Sequence, residues 1–147
     1  MMDFKNMDNQ AIIKAQFDGF IRAMYEWETQ AYAEAQTDFS EAWQHRQTAL
    51  RSEIFRRYVT ERERKYGGPT FRSCTYPPRY HPEYEQMTGI TVRGKKATVS
   101  TDYSRAGLHY KREYTFLLAH DTWRLDVIKE QYPTDDGTGQ SWKNVII

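Results

Sequence analysis

The chain has 147 residues, so it suggests one domain, able to bury roughly 68–70% of its unfolded surface. Only 39% of residues are apolar, and the core must lean on 11 Tyr, 7 Phe and 4 Trp. A formal net charge of +1 argues against a general nucleic-acid binder, and the single cysteine, Cys74, excludes an internal disulfide and suits a reducing compartment.

Residues 1–7 show no pattern and are expected to fray, with Asp8 or Asn9 capping the first helix. Ile13, Phe17, Phe20, Ile21, Met24, Ala31 and Ala35 then recur at helical spacing, which predicts a helix to about Gln36. Asp38 with Glu41 resembles a capping box for a second helix. Its apolar stripe is Trp43, Leu50, Ile54 and Tyr58, with Phe55 and Val59 beside it, and Gly67 and Gly68 stop the pattern. Whether residues 39–66 form one helix or two stays open. Residues 1–42 carry three basic and eight acidic side chains, whereas residues 43–66 carry seven basic and three acidic. That division reads either as two solvated helix faces that attract one another or as a dipolar surface that steers a charged protein partner.

Four prolines between 67 and 86 weigh against a central strand, although residues 70–75 could form a short edge strand. The stretch PPRYHPEYE (77–85) reads as a structured, tyrosine-rich loop. A small hairpin follows, with Gly94 and Lys95 as its turn, Val92 facing Ala97, Ile90 facing Val99 and Thr88 facing Thr101. Residues 102–107 connect to a longer hairpin over 108–129 whose loop is His120–Asp121. In that register Leu118 opposes Trp123, Phe116 opposes Leu125 and Tyr114 opposes Val127, so one face is large and apolar. The tail after Lys129 is loop-like, with Trp142, Val145, Ile146 and Ile147 available to dock. Helices first and a strand meander after them is an α+β order: N-terminal helices covering a curved, mostly antiparallel sheet in a cone.

Chemistry-bearing patterns are weak. His45, His81, His109 and His120 have no metal-ligand spacing, so no metal and no cofactor is expected. Cys74 reads as a small buried hydrophobe, and Asp126 as an exposed or salt-bridged strand residue near Arg124 or Arg112. The basic run 51–65 is diluted by Glu53, Glu61 and Glu63, against nucleic acid. No basic-then-apolar leader and no run of about 18 apolar residues occurs, so a soluble, cytoplasmic protein is expected.

The order of TERERKYGG (60–68), Ser73 with PPRYHPEYE (77–85), Ile90 and Val92, residues 97–101, and YTFLL with TWRLD (114–126) resembles the nuclear transport factor 2-like fold, and within it the immunity proteins found beside bacterial polymorphic toxins. The resemblance implies one domain over 1–147 that is not an enzyme and that binds and blocks a cognate toxin effector domain in the cytoplasm. It supplies no shared catalytic residues. If the toxin is basic, the candidate contacts are Asp18, Glu26 and Glu34 on the first helix and Tyr80, Glu83, Tyr84 and Glu85 on the loop. The alternative is a small-molecule enzyme or ligand-binding protein of the ketosteroid isomerase or polyketide cyclase type, recognisable by Asp, His or Tyr side chains in mutual hydrogen-bond reach inside the cone. A homodimer through the outer sheet face stays open.

Overall fold

The computed structural model describes residues 4–132 and 141–147, with side chains from residue 8 onward. Two helices, α1 (Phe4–Ala35) and α2 (Glu41–Tyr58), precede five strands: β1 (Glu85–Arg93), β2 (Lys96–Arg105), β3 (Leu108–Ala119), β4 (Thr122–Gln131) and β5 (Lys143–Val145). The strands form one sheet in the order β1-β2-β3-β4-β5, every pair antiparallel. This is the expected α+β architecture.

Helix α1 buries Ile13, Phe17, Phe20, Ile21, Met24 and Ala31 in the core, on the face that its spacing predicts, and adds Trp27, which packs against Phe71 and the α2 residues Gln47 and Arg51. It begins at Phe4, more than a turn before the expected cap. Asn9 does not cap because its Oδ1 accepts the indole N–H of Trp123 at 3.1 Å. Ser40, rather than Asp38, caps α2: its Oγ accepts the Trp43 N–H, while Asp38 Oδ1 accepts the Ser40 N–H.

The core stripe of α2 also differs from the expected one. Trp43, Gln47 and Phe55 are buried, and Leu50 is 53% exposed. Arg51 takes the inward turn instead. Its guanidinium lies 4.7 Å from the Trp27 ring centre and donates to the carbonyls of Gly68 and Pro69. The helix stops at Tyr58, well before Gly67, because Val59 leaves the helix to form a parallel bridge with Leu125. Residues 59–66 then run as an extended arm along β4. Thr60 Oγ1 and Arg62 Nε both bond Asp126 Oδ1 at 2.7 Å, and Arg64 Nη1 bonds the Asp126 carbonyl.

Both hairpin turns fall where the sequence places them. His120 and Asp121 each have positive φ (51° and 60°), the pairing that a two-residue type I′ turn requires. Ala119–Thr122, Leu118–Trp123 and Phe116–Leu125 pair as expected. Beyond them a bulge at Asp126 shifts the register, so that Tyr114 pairs with Ile128 and Val127 moves to the outer face beside Thr115. In the first hairpin a bulge at Thr88 likewise brings Met87, not Thr88, opposite Thr101. Residues 102–105 extend β2, leaving Ala106–Gly107 as a tight turn. Residues 70–75 form no strand: Phe71 N–H bonds Thr48 Oγ1 and Thr75 N–H bonds Glu28.

In the tail, residues 133–140 lie outside the described part. Beyond them β5 pairs with Ile128–Glu130, and Ile147 is buried while Trp142 and Ile146 remain exposed. The inner sheet face and the helices share one core. The outer face has no helix on it among the described residues and carries a cross-strand row of Thr91, Thr98, Thr115 and Val127.

Candidate functional site

Strand period two sends Glu85, Thr101, Tyr103, Tyr110, Arg112, Tyr114 and Glu130 inward at one end of the sheet, where the PPRYHPEYE loop closes over them. Arg112 stands at the centre and is 4% exposed. Its Nε donates to Glu130 Oε2 at 2.8 Å. Nη1 donates to Glu85 Oε1 at 2.8 Å and to the Tyr114 hydroxyl at 3.2 Å. Nη2 donates to the Arg79 carbonyl at 3.1 Å and to the Tyr110 hydroxyl at 3.0 Å. A guanidinium has five N–H donors, and all five have acceptors here. The rings of Tyr80, Tyr103 and Tyr110 surround the charge at 5.1–5.2 Å.

Glu85 is equally committed. Its other oxygen accepts from the Tyr114 hydroxyl at 2.5 Å and from Thr101 Oγ1 at 2.7 Å. Burial alone would lower the Arg112 pKa, but Tyr114 and the Glu85 carboxylate reverse this and hold the group above its ordinary value. Burial raises Tyr114 well above the usual phenol range, and Glu85 adds to it. Burial also pushes Tyr80 up to about 12, against the opposing pull of Arg112. This end of the sheet is therefore a saturated network. It holds its charge in place and leaves no guanidinium donor for a substrate.

The network makes a prediction for alkaline solution. Tyr80, Tyr110 and Tyr114 all have raised folded pKa values. Their contribution is fully present below the unfolded phenol pKa of about 10 and is lost as pH rises toward the folded values. Each such phenol lowers stability by about 1.4 kcal/mol per pH unit above about 10. Denaturant unfolding between pH 8 and 11.5, read beside phenolate absorbance, should show constant stability to about pH 9.5 and a steep fall above it. Constant stability through pH 11 would contradict the burial of these hydroxyls.

Asp126 takes no part in this network. It sits at the β4 bulge, bound to Thr60 and Arg62 rather than to Arg124 or Arg112. Burial opposes its ionisation, yet the Thr60 and Arg62 hydrogen bonds hold its carboxyl below the ordinary range. His81 is buried in the loop, stacked on Tyr84 at 3.8 Å. Cys74 is half-buried against the core, and burial raises its thiol pKa. Among the described residues no group of three His, Cys, Asp or Glu side chains is placed to hold a metal.

The residues expected to meet a partner fall in different places. Asp18 is exposed and paired with Lys14 at 2.9 Å. Glu26 is exposed, and Glu34 is half-buried where it accepts from Gln30 and from the Trp43 indole. Those two hydrogen bonds hold the Glu34 carboxyl below its ordinary range. Glu83 is exposed, and Tyr84 is half-buried on His81. Tyr80 and Glu85 are interior: Tyr80 packs edge-on against Phe20, and Glu85 belongs to the Arg112 network. Their side chains present no surface to a partner. Glu26 and Glu34 are brought together with Glu53 on the walls of a groove between α1 and α2, whereas Asp18, Glu83 and Tyr84 lie outside it.

The sequence profile of the NTF2 fold immunity proteins matches residues 13–144, from the first buried residue of α1 into β5. This chain belongs to that immunity family. It is also 27% identical over 107 residues to "Immunity protein RhsIA" of Dickeya dadantii (strain 3937), covering 73% of this chain and 78% of that protein. No solved structure matches it.

For an immunity-family chain, the placement of the resemblance motifs is informative. TERERKYGG supplies Thr60, Arg62 and Arg64 to the clamp on Asp126. PPRYHPEYE supplies Tyr80 and Glu85, and the strand motifs supply Thr101 and Tyr114. These motifs build the scaffold. No helix of the described residues is long and apolar enough to cross a membrane. Arg112, the centre of the scaffold, was missed by sequence reasoning, although a signal existed. Tyr110, Arg112 and Tyr114 alternate on one strand face, and an arginine inside an aromatic face demands a buried anion.

Proposed function

We propose that this protein binds the toxin domain of its own polymorphic toxin system in the cytoplasm and neutralises it by occupying its surface, without chemistry. The observation that carries this reading is membership of the immunity family across residues 13–144. The name of the Dickeya relative, an immunity protein, agrees with it. The saturated Arg112 network supports it further, because an isomerase- or cyclase-like reading needs a polar group free to meet substrate, and Glu85, Tyr114 and Arg112 are all held by one another. The acidic face of α1 adds a steering surface for a basic partner. Among the described residues no ion pair joins the two helices, and Glu26 has no partner.

The test is co-expression in a bacterial host with the C-terminal domain of the adjacent toxin-like reading frame. The expected result is growth only when this protein is present, and a complex of the two on copurification. Unchanged killing in its presence would overturn the reading.

A further inference from the structure

We infer that the groove between α1 and α2 is the anchor site for the toxin, and that it takes a toxin segment presenting an apolar side chain flanked by lysine or arginine. This assignment rests on the immunity reading above and names the surface and the partner chemistry.

The groove has a volume of about 470 Å³. Its floor is apolar, formed by Trp27, Leu50, Ile54 and Tyr58. Leu50, Ile54 and Tyr58 follow one another at i, i+4 and i+8, so they form a second stripe on α2 beside the core stripe of Trp43, Gln47 and Phe55, with Ile54 and Tyr58 half-buried against the core and Leu50 exposed. Leu50 is 53% exposed on a helix that is otherwise strongly polar. At one end the Tyr58 ring lies against Gly19, where an added Cβ would stand 2.6 Å from Tyr58 Cε1. The missing side chain on α1 lets that tyrosine close the groove.

Two features of the lining specify the occupant. The first is charge. Glu26, Glu34 and Glu53 line the groove, with Arg57 as the lining cation among the described residues. Glu53 is paired with Arg56 at 2.8 Å, so the open negative charge of the rim rests on Glu26 and Glu34. Among the described residues Glu26 has no ion-pair partner, and Glu34 is fixed by hydrogen bonds from Gln30 and Trp43, with Arg46 a weaker electrostatic neighbour. Such a rim attracts Lys or Arg and repels a polyanion. The second is a buried donor. Gln47 is 2% exposed and lines the groove, and its Oε1 accepts the Trp27 indole N–H at 3.0 Å. Among the described residues its amide nitrogen has no acceptor. A backbone carbonyl of the docked segment would satisfy it, and a buried donor without an acceptor is unfavourable until something does. Apolar floor, acidic rim and one waiting donor together describe the complement of a basic, partly apolar peptide segment.

The probe is the purified C-terminal domain of the adjacent toxin-like reading frame, titrated into the full-length protein and its variants by calorimetry. Leu50→Asp and the pair Glu26→Lys/Glu53→Lys should each weaken binding roughly 30-fold or more, with unchanged melting temperatures, because these side chains are outside the core. Thr98→Lys on the outer sheet face and Glu83→Lys on the loop should bind within about threefold of wild type. Hydrogen exchange on the unaltered protein supplies a second readout: the toxin should slow exchange over residues 23–34 and 47–58. Wild-type binding with undiminished affinity of the groove variants, or protection confined to the sheet face, overturns the groove assignment and leaves the immunity reading standing. Self-association that Leu50→Asp abolishes would give the groove to a second copy and overturn it as well. Absence of any binding by wild type overturns the immunity reading, and the groove assignment falls with it.

Discussion

Replacing Arg112 with leucine is expected to cost about 3–5 kcal/mol, the range for removing one partner of a buried ion pair. Two carboxylates face this guanidinium, Glu85 with a fully buried side chain and Glu130 nearly so, and both ion pairs are 2.8 Å long. Leucine fills part of the volume but leaves Glu85 as a charge inside a ring of tyrosines. It also leaves the Arg79 carbonyl without its donor. For a domain of this size the melting temperature should fall by roughly 10–15 °C. The stranded charge can be told apart from lost packing. The double variant Arg112→Leu/Glu85→Gln should recover about 1–2 kcal/mol of the loss. Arg112→Lys should remain impaired, because an ammonium offers three donors where five acceptors wait. A deficit unmoved by Glu85→Gln would mean that Arg112 acts through packing on Tyr80, Tyr103 and Tyr110 alone.

That network shows why some of this molecule was legible in its sequence and some was not. Apolar alternation placed the sheet hairpins, because a one-residue slip would turn Trp123 and Phe116 into water. It failed at Asp126, where Val127 and Ile128 are both apolar and the pattern cannot choose between them. The choice comes from Thr60, Arg62 and Arg64, which clamp Asp126 from 62 to 66 residues away. The same arm explains the overlong second helix. Thr60–Tyr66 has helical composition, and a tertiary bridge from Val59 to Leu125 overrides it. Leu50 was read as core because leucine at helical spacing normally is. In the fold its inward neighbour is Arg51, made tolerable by Trp27 and by the Gly68 and Pro69 carbonyls. Of the expected partner contacts, Tyr80 and Glu85 were taken for surface because their loop is polar. Their partners Phe20 and Arg112 are distant in sequence and invisible to local reasoning.

Glu28 gives the second large effect, and it connects the scaffold to the loop that carries Glu83 and Tyr84. Glu28 lies on α1, is 2% exposed and points at the proline-rich segment rather than at a buried cation. Its Oε2 accepts the Thr75 N–H at 2.9 Å, and its Oε1 accepts the Arg79 N–H at 2.8 Å. The Arg79 guanidinium is 4.0 Å away and largely exposed, so the backbone contacts dominate. A carboxylate is suited to this place because it accepts on both oxygens, whereas prolines 77 and 78 remove donors that a strand partner would need. Glu28→Ala leaves two partly buried N–H groups without acceptors, at about 1–3 kcal/mol each, for an expected total near 2–5 kcal/mol. Glu28→Gln should recover less than half of that, since its amide nitrogen must face one of the two donors. The expected signature is local as well as global. Amide exchange at Thr75 and Arg79 should accelerate ahead of the sheet, while exchange across β2–β3 should follow the melting temperature alone. Equal acceleration everywhere would place Glu28 in the general core instead of at the tie between α1 and the loop. The loop also closes over Arg112 through the Arg79 carbonyl and Tyr80. Glu28→Ala and Arg112→Leu should therefore be less than additive, by about 0.5–3 kcal/mol, because each loosens the lid that the other holds.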